Sequence, residues 1–444
     1  MSVAARSGDI PLTVLPLGAQ RYSCHGCGLC CRDFTVQLRP ADLEKLRAQG
    51  WERTLGVAPV VEFRGQSYLR QREDGACVFL QEDGRCRIHA EHGLEAKPLA
   101  CQFFPFILAP QEHEARVAIS FACRSVQENR GAPLASHLRE VRAMAAQVPE
   151  LAPARTLLDP RTPAQPQEEA ALVDAADRWL RDARTPLAVR LDGLAFLAQA
   201  LGAARFERVR GPRFQELVDL LVRQLTEELP LQPVEEPTRA QRATLRQAAF
   251  FRLEDPKIGA MARMGRLRSV LSQFRRSRAF ARGRGAMPPT GDAWPAGARL
   301  EAVESAPGLL DSPDLPAVDE LLTRWLRATV LGGRAWGSGY YGWPMTLGLQ
   351  AIALNAACAL WLARAHAVAA GRAMPTLEDA RAAVGRVDRA AGRAPWIGSR
   401  AEALRLRYLL ADDGLRRIMR AAPPHDAGTS APGTAAPRSP SGSS

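Results

Sequence analysis

Beyond residue 130, apolar residues recur at three- and four-residue steps. In 213–229, Phe214, Leu217, Val218, Leu221, Leu225 and Leu229 fall on one helical face. The stretches 187–200 and 239–252 repeat the pattern, and 134–147 also reads as helix. Val318, Leu321, Leu322, Trp325 and Thr329 begin a further helix, and two or three more follow up to about residue 412. Before residue 130 the periodic runs are short. Pro40-Ala41-Asp42 opens a helix that Gly50 ends. Residues 62–64 and 67–70 read as strands, and Asp74-Gly75 and Asp83-Gly84 as turns. The pattern predicts a mostly α fold. A small, irregular, cysteine-rich metal-binding module leads into a helical body and a disordered C-terminal tail.

The boundaries follow from composition. Residues 1–130 form the cysteine-cluster module. A helical region spans 131–285, with a Pro-rich linker at 148–168. A second linker covers 286–316, a second helical region 317–412, and the tail 413–444. The tail holds too little apolar surface to fold. Residues 345–363 are 19 positions without a charge, close to the ~20 that span a bilayer. Gln350 and Asn355 interrupt the run and many of its residues are small, so a buried core helix is expected and no membrane span. The first 20 residues lack the unbroken apolar core of a secretory signal, which predicts a cytoplasmic protein.

Composition narrows the class further. The 444 residues are 46% hydrophobic and 24% charged, which excludes a collagen-like or wholly disordered chain. The formal charge is +12, and Lys45, Lys97 and Lys257 are the only lysines. So strong a preference for arginine reads as a coding bias, and the high pI is not taken as a sign of nucleic-acid binding. The charge is concentrated: 256–285 holds nine basic and no acidic residues. That segment suits nucleic acid, an anionic membrane face, an acidic partner, or simply a solvated helix face.

Eight of the nine cysteines lie within one hundred residues: Cys24, Cys27, Cys30, Cys31, Cys77, Cys86, Cys101 and Cys123. In a reducing compartment, clustered thiols point to metal or redox chemistry rather than disulfides. Two residues between cysteines let a tight turn aim both sulfurs at one centre, and Gly26 and Gly28 permit such a turn. A C-x2-C-x2-C run can supply three ligands to an iron–sulfur cluster such as 4Fe-4S. With remote cysteines it can equally build a tetrahedral zinc site. Soft thiolates suit zinc and iron alike. Adjacent side chains diverge, so Cys30 and Cys31 are expected to serve two centres, or one of them to be free. His25, His89, His92 and His113 share the region as candidates for mixed ligation. The isolated Cys358 reads as a small buried hydrophobe.

These residues resemble a known family, the YkgJ-type cysteine-cluster proteins with their zinc- or iron-chelating CxxCxxCC domain. The resemblance is carried by Cys24–Cys31, by Cys77-Val78-Phe79-Leu80 with Cys86-Arg87-Ile88-His89, and by Lys97-Pro98-Leu99-Ala100-Cys101-Gln102-Phe103-Phe104-Pro105. His89 and Lys97 stand where the family has Tyr and Arg, and neither change removes a sulfur. The resemblance covers about the first 125 residues with seven cysteines in step and implies a chelating site; thiolate ligation by all eight clustered cysteines, Cys123 included, is expected from their order and spacing. More loosely, residues 318–333, Tyr340-Tyr341 and the following apolar helix resemble the flagellin lysine-N-methylase branch. That would imply a lysine N-methyltransferase using S-adenosylmethionine, with an unidentified protein substrate. A metal-stabilised interaction module is the remaining alternative. Gly337-Ser338-Gly339-Tyr340-Tyr341-Gly342 has the letters of a dinucleotide motif. A helix precedes it, and the next acidic residue is Glu378, so a helix–helix connection is expected. No Walker, Gly-x-Ser-x-Gly or HExxH pattern is present, which leaves kinase and hydrolase readings without support.

Overall fold

The computed structural model describes residues 11–421, apart from 16, 113, 149–154, 230–231, 255–264, 289–293 and 295–296. The front of the chain is loop-rich and holds all the described strands. β1 (Leu12–Val14) is followed by β2 (Arg21–Tyr22), then α1 (Leu29–Asp33), α2 (Pro40–Ala48) and α3 (Trp51–Leu55). β3 (Val60–Phe63) and β4 (Gln66–Leu69) form a hairpin, turned by Arg64 and Gly65, both at positive φ. α4 (Arg87–His92) and α5 (Leu99–Phe103) precede β5 (Phe106–Pro110) and β6 (Ala115–Ile119). β6 pairs antiparallel with β5 and parallel with β1. α6 (Arg124–Gln127) and β7 (Ala132–Pro133) complete the front, β7 pairing with β2.

The body is helical: α7 (Leu138–Ala145), α8 (Pro166–Leu180), α9 (Leu187–Ala203), α10 (Pro212–Glu227), α11 (Arg239–Leu253), α12 (Arg266–Arg282), α13 (Leu300–Ser305), α14 (Leu315–Leu331), α15 (Met345–Ala369), α16 (Leu377–Ala390), α17 (Arg400–Leu410) and α18 (Gly414–Arg420). α15 is apolar on every side and is the central helix. Gln350 and Asn355 are buried along with Leu349, Leu354 and Leu362, as expected for a helix enclosed by others. It is the one described helix long and apolar enough to cross a membrane, and 89% of its most apolar stretch is buried in the protein. The Gly337–Gly342 loop joins α14 to α15, with Gly337 bridging to Trp343.

Both proline-rich connections carry structure. Leu158 is buried, and the N–H groups of Met345 and Thr346 donate to the carbonyls of Leu157 and Leu158 at the start of α15. In 286–316, α13 forms, and Met287 and Trp294 are buried. At the end of the chain, α18 buries Leu415, Arg416 and Met419. Residues 422–444 of the expected tail lie outside the described residues.

Two apolar clusters divide the molecule. Leu38, Leu46, Trp51, Leu69, Phe79 and Ile88 make a small core under the cysteine loops. The large core takes the helices together with Val117, Ile119 and Phe121 from around β6. The small core gains about 1.5–3 kcal/mol from each fully buried large side chain, which is little for a unit so poor in regular structure.

Asp42 ties this unit together. Its carboxylate accepts from the N–H groups of Arg39 and Leu99 and from the Arg39 guanidinium. Burial works against the charge, but these donors win and hold the carboxyl below its ordinary range. A folded-state pKa below the unfolded value of about 3.9 stabilises the fold above about pH 4, and the gain is lost as pH falls through the folded value. Between pH 7 and pH 3 the urea midpoint of Asp42→Asn is expected to fall less than that of the natural protein.

Candidate metal centre

Four loops carry the eight clustered cysteines to one place. Cys24 and Cys27 sit in the loop after β2, and Cys30 and Cys31 in the first turn of α1. Gly26 and Gly28 both take φ of 70°, in the left-handed region. They let this loop lie flat on the turn between Cys77 and Cys86. The contact is backbone against backbone: a Cβ on Gly84 would sit 2.5 Å from the Gly26 carbonyl oxygen. The Cys77 N–H donates to the Cys31 carbonyl at 2.7 Å, which locks the two loops in register. Cys86 precedes α4, Cys101 lies within α5, and Cys123 precedes α6. Gly84→Ala combines a clash with a disfavoured φ of 82°. It is expected to lower the thermal midpoint and to reduce bound metal per chain, whereas Gly56→Ala meets no atoms and should leave the metal content unchanged.

All eight of these cysteines line a single cavity of about 490 Å³. Cys24 and Cys27 are exposed, Cys77 is buried and the others are half-buried, and none is joined to another. The cavity also takes Tyr22, His25, His89, Lys97, His137 and Arg393. His92 instead packs edge-on against Trp51 at 5.3 Å. His113 lies outside the described residues. Cys358 is away from the cavity, buried in α15, and burial pushes its thiol up to about 12.

Cys30 lies at the electrostatic middle of the group. Its sulfur interacts with those of Cys27, Cys31, Cys77, Cys101 and Cys123. It also hydrogen-bonds the Cys31 side chain, which is the largest influence raising its pKa. The adjacent pair therefore converges rather than diverging, because the first turn of α1 presents both side chains to the cavity.

Burial raises the thiols of Cys27 and Cys101, that of Cys77 to about 11 and that of Cys123 to about 12. Backbone donors oppose it: the N–H groups of Leu29, Phe79 and Ser125 each reach back to the sulfur two residues earlier. That arrangement stabilises thiolate. At neutral pH the raised thiols are nevertheless protonated, and only a cation in the cavity would discharge them. Among the described residues no three His, Cys, Asp or Glu side chains stand ready to grip one ion. Neutral sulfurs have nothing to draw them together, and they ring a space larger than a single ion.

The helical body reaches into this site, which the sequence did not foretell. Arg389 donates to the Asp33 carbonyl, and the Arg393 guanidinium lies 5.2 Å from the Phe34 ring. Burial and then Arg334 bring Arg393 down to about 10, so it stays a cation at neutral pH. Lys97 is the second cation on the wall. Burial disfavours its charge, but the sulfurs of Cys101, Cys86, Cys30 and Cys31 outweigh that and raise its pKa. From α16, Asp388 accepts from Ser120 Oγ at 2.6 Å and from the Ala122 N–H at 3.2 Å, holding the segment that leads to Cys123. His137 was also unforeseen, because it lies past the last cysteine. Its Nε2 is 2.9 Å from the Tyr22 carbonyl.

Comparison with known proteins singles out the same part of the chain. Residues 23–124 match the model of the CxxCxxCC family, described as a "Putative zinc- or iron-chelating domain". This segment is a CxxCxxCC domain. An uncharacterized protein of Methanocaldococcus jannaschii is 36% identical over 88 residues, which is 19% of this chain and 29% of the relative. The two thus share less than a third of that relative's length. No solved structure matches the chain. The family match runs from just before Cys24 to just past Cys123, so it holds all eight clustered cysteines and leaves out Cys358, Asp388 and Arg393.

Proposed function

We propose that the CxxCxxCC domain binds zinc or iron through the thiolates of Cys24, Cys27, Cys30, Cys31, Cys77, Cys86, Cys101 and Cys123. The observation that carries this is their convergence on one cavity with every sulfur unpaired. The donor set fits. Thiolates are the preferred ligands of both metals, and backbone N–H groups already point at three of the sulfurs. Lys97 and Arg393 offset the negative charge that several thiolates would bring together. Free thiols in this number support a reducing, cytoplasmic setting.

Of the two metals, the closely spaced run of Cys24, Cys27 and Cys30 favours iron as an iron–sulfur cluster, since three cysteines at that spacing can ligate one. A lone zinc needs only four sulfurs at about 2.3 Å from one point. A cluster held by four cysteines, such as 4Fe-4S, would supply one-electron chemistry. Protein purified without oxygen is expected to contain iron and acid-labile sulfide and to absorb broadly in the visible. Zinc without colour would turn the assignment to zinc. A metal-free chain that keeps its fold would overturn the whole reading.

One further reading rests on the loose resemblance of residues 318–333 and Tyr340-Tyr341 to the flagellin lysine-N-methylase branch: methyl transfer from S-adenosylmethionine to a lysine of a protein substrate. Labelled donor with flagellin tests it, and no label transfer by the metal-loaded protein would sink it.

A further inference from the structure

The basic segment 256–285 plays no part in the thiol cavity. Its described portion is α12, which packs on α11 by one side only. On that side Phe280 and Ser277 are buried, and the Arg276 guanidinium donates to the Glu254 carboxylate at 2.6 Å. The opposite side is bare. Leu267, Val270, Leu271 and Phe274 follow one another at the steps that align side chains on a helix, and they are 86%, 59%, 49% and 60% exposed. Arg268, Arg275 and Arg282, seven residues apart, form an exposed row beside them, and the exposed Arg278 extends the apolar row. None of these four arginines has an acidic partner among the described residues, and 256–285 holds no acidic residue at all.

Four large apolar side chains on two turns of a surface helix call for a partner, and the charges restrict which. A second copy docked here would set one arginine row against another. Nucleic acid would satisfy the arginines and leave Leu267, Val270, Leu271 and Phe274 in water. The ridge is convex and lies on a single helix, so an acidic protein would need a matching apolar groove. An anionic bilayer needs no matching shape. Its headgroups present negative charge, and apolar material lies directly beneath. Arginine stems are long enough to keep guanidinium groups at the phosphates while the apolar row enters the acyl boundary.

We propose that α12 is an interfacial helix, by which the protein docks reversibly on a membrane face rich in anionic phospholipid. The long apolar helix α15 takes no part, because it is enclosed by the body.

Cosedimentation of the full chain with vesicles tests this. Binding is expected to vesicles containing phosphatidylglycerol and not to phosphatidylcholine alone, and it should weaken as salt rises. Leu271→Glu with Phe274→Glu should lower partitioning by about tenfold or more. Arg275→Glu with Arg282→Glu should do the same. Both pairs are exposed, so the melting curve and the metal content should stay as in the natural protein, which separates this proposal from the metal assignment. If the folded protein ignores anionic vesicles, the proposal fails and an acidic protein partner takes its place. Binding that survives loss of the apolar pair would equally overturn it, since charge alone would then account for the association.

Discussion

Protein carrying Cys30→Ser is expected to retain at least about tenfold less metal per chain than the natural protein. Cys30 lies beside Cys31 in the first turn of α1, and its sulfur interacts with those of Cys27, Cys31, Cys77, Cys101 and Cys123. A serine oxygen there is a harder and weaker ligand for soft metals. The loss should extend to stability. The front unit has a small apolar core, and metal binding can contribute on the order of 10 kcal/mol to such a unit. Cys358→Ser is the control. Its sulfur is buried in α15, far from the cavity wall, so metal content should not change although stability drops somewhat. Metal analysis and thermal melting of the two variants side by side decide the matter. A Cys30→Ser protein with the natural metal content would place the centre elsewhere.

Asp388→Ala is expected to cost about 3–5 kcal/mol, the usual loss when one member of a buried ion pair is removed and the other is left behind. Asp388 is 2% exposed. Its carboxylate takes a salt bridge from Arg334 at 2.8 Å and hydrogen bonds from Trp325 Nε1, Ser120 Oγ and the Ala122 N–H. Burial disfavours its charge, but Arg334 and Ser120 prevail and its pKa lies below the ordinary carboxylate value. Its stabilising effect is therefore complete above about pH 4 and disappears as pH falls through the folded value. The variant should unfold at lower urea near neutral pH, and the gap to the natural protein should narrow in acid. Bound metal should fall as well, because Ser120 and Ala122 lead into Cys123. A stability loss with untouched metal content would show that the Cys123 loop does not depend on this anchor.

Several elements were legible from local pattern alone. The helices α10, α11 and α14 follow the three- and four-residue apolar steps, since one face of each meets the core, whereas α9 is enclosed on nearly every side, Arg190 and Asp192 included. Two short strands were legible near β3 and β4, but their pairing was not: Arg64, read as the end of a strand, forms the turn of the hairpin with Gly65. The burial of α15 followed from the small residues and amides in its apolar run. The sheet β1–β6–β5 was not legible: its strands are short, and its parallel pair joins residues a hundred positions apart.

For the site, the sequence by itself determined the chemistry: eight soft donors, grouped with glycines that allow tight turns, in a spacing that suits metal ligation. Donor type and local spacing are properties of a few neighbouring residues, so they can be read without a fold. Only the tertiary structure decided that Cys30 and Cys31 face the same way, that Arg393 and Asp388 approach from more than 250 residues away, and that the apolar row of α12 is left bare. Those facts depend on which faces of distant helices meet, and that is settled by the packing of the whole core rather than by any segment within it.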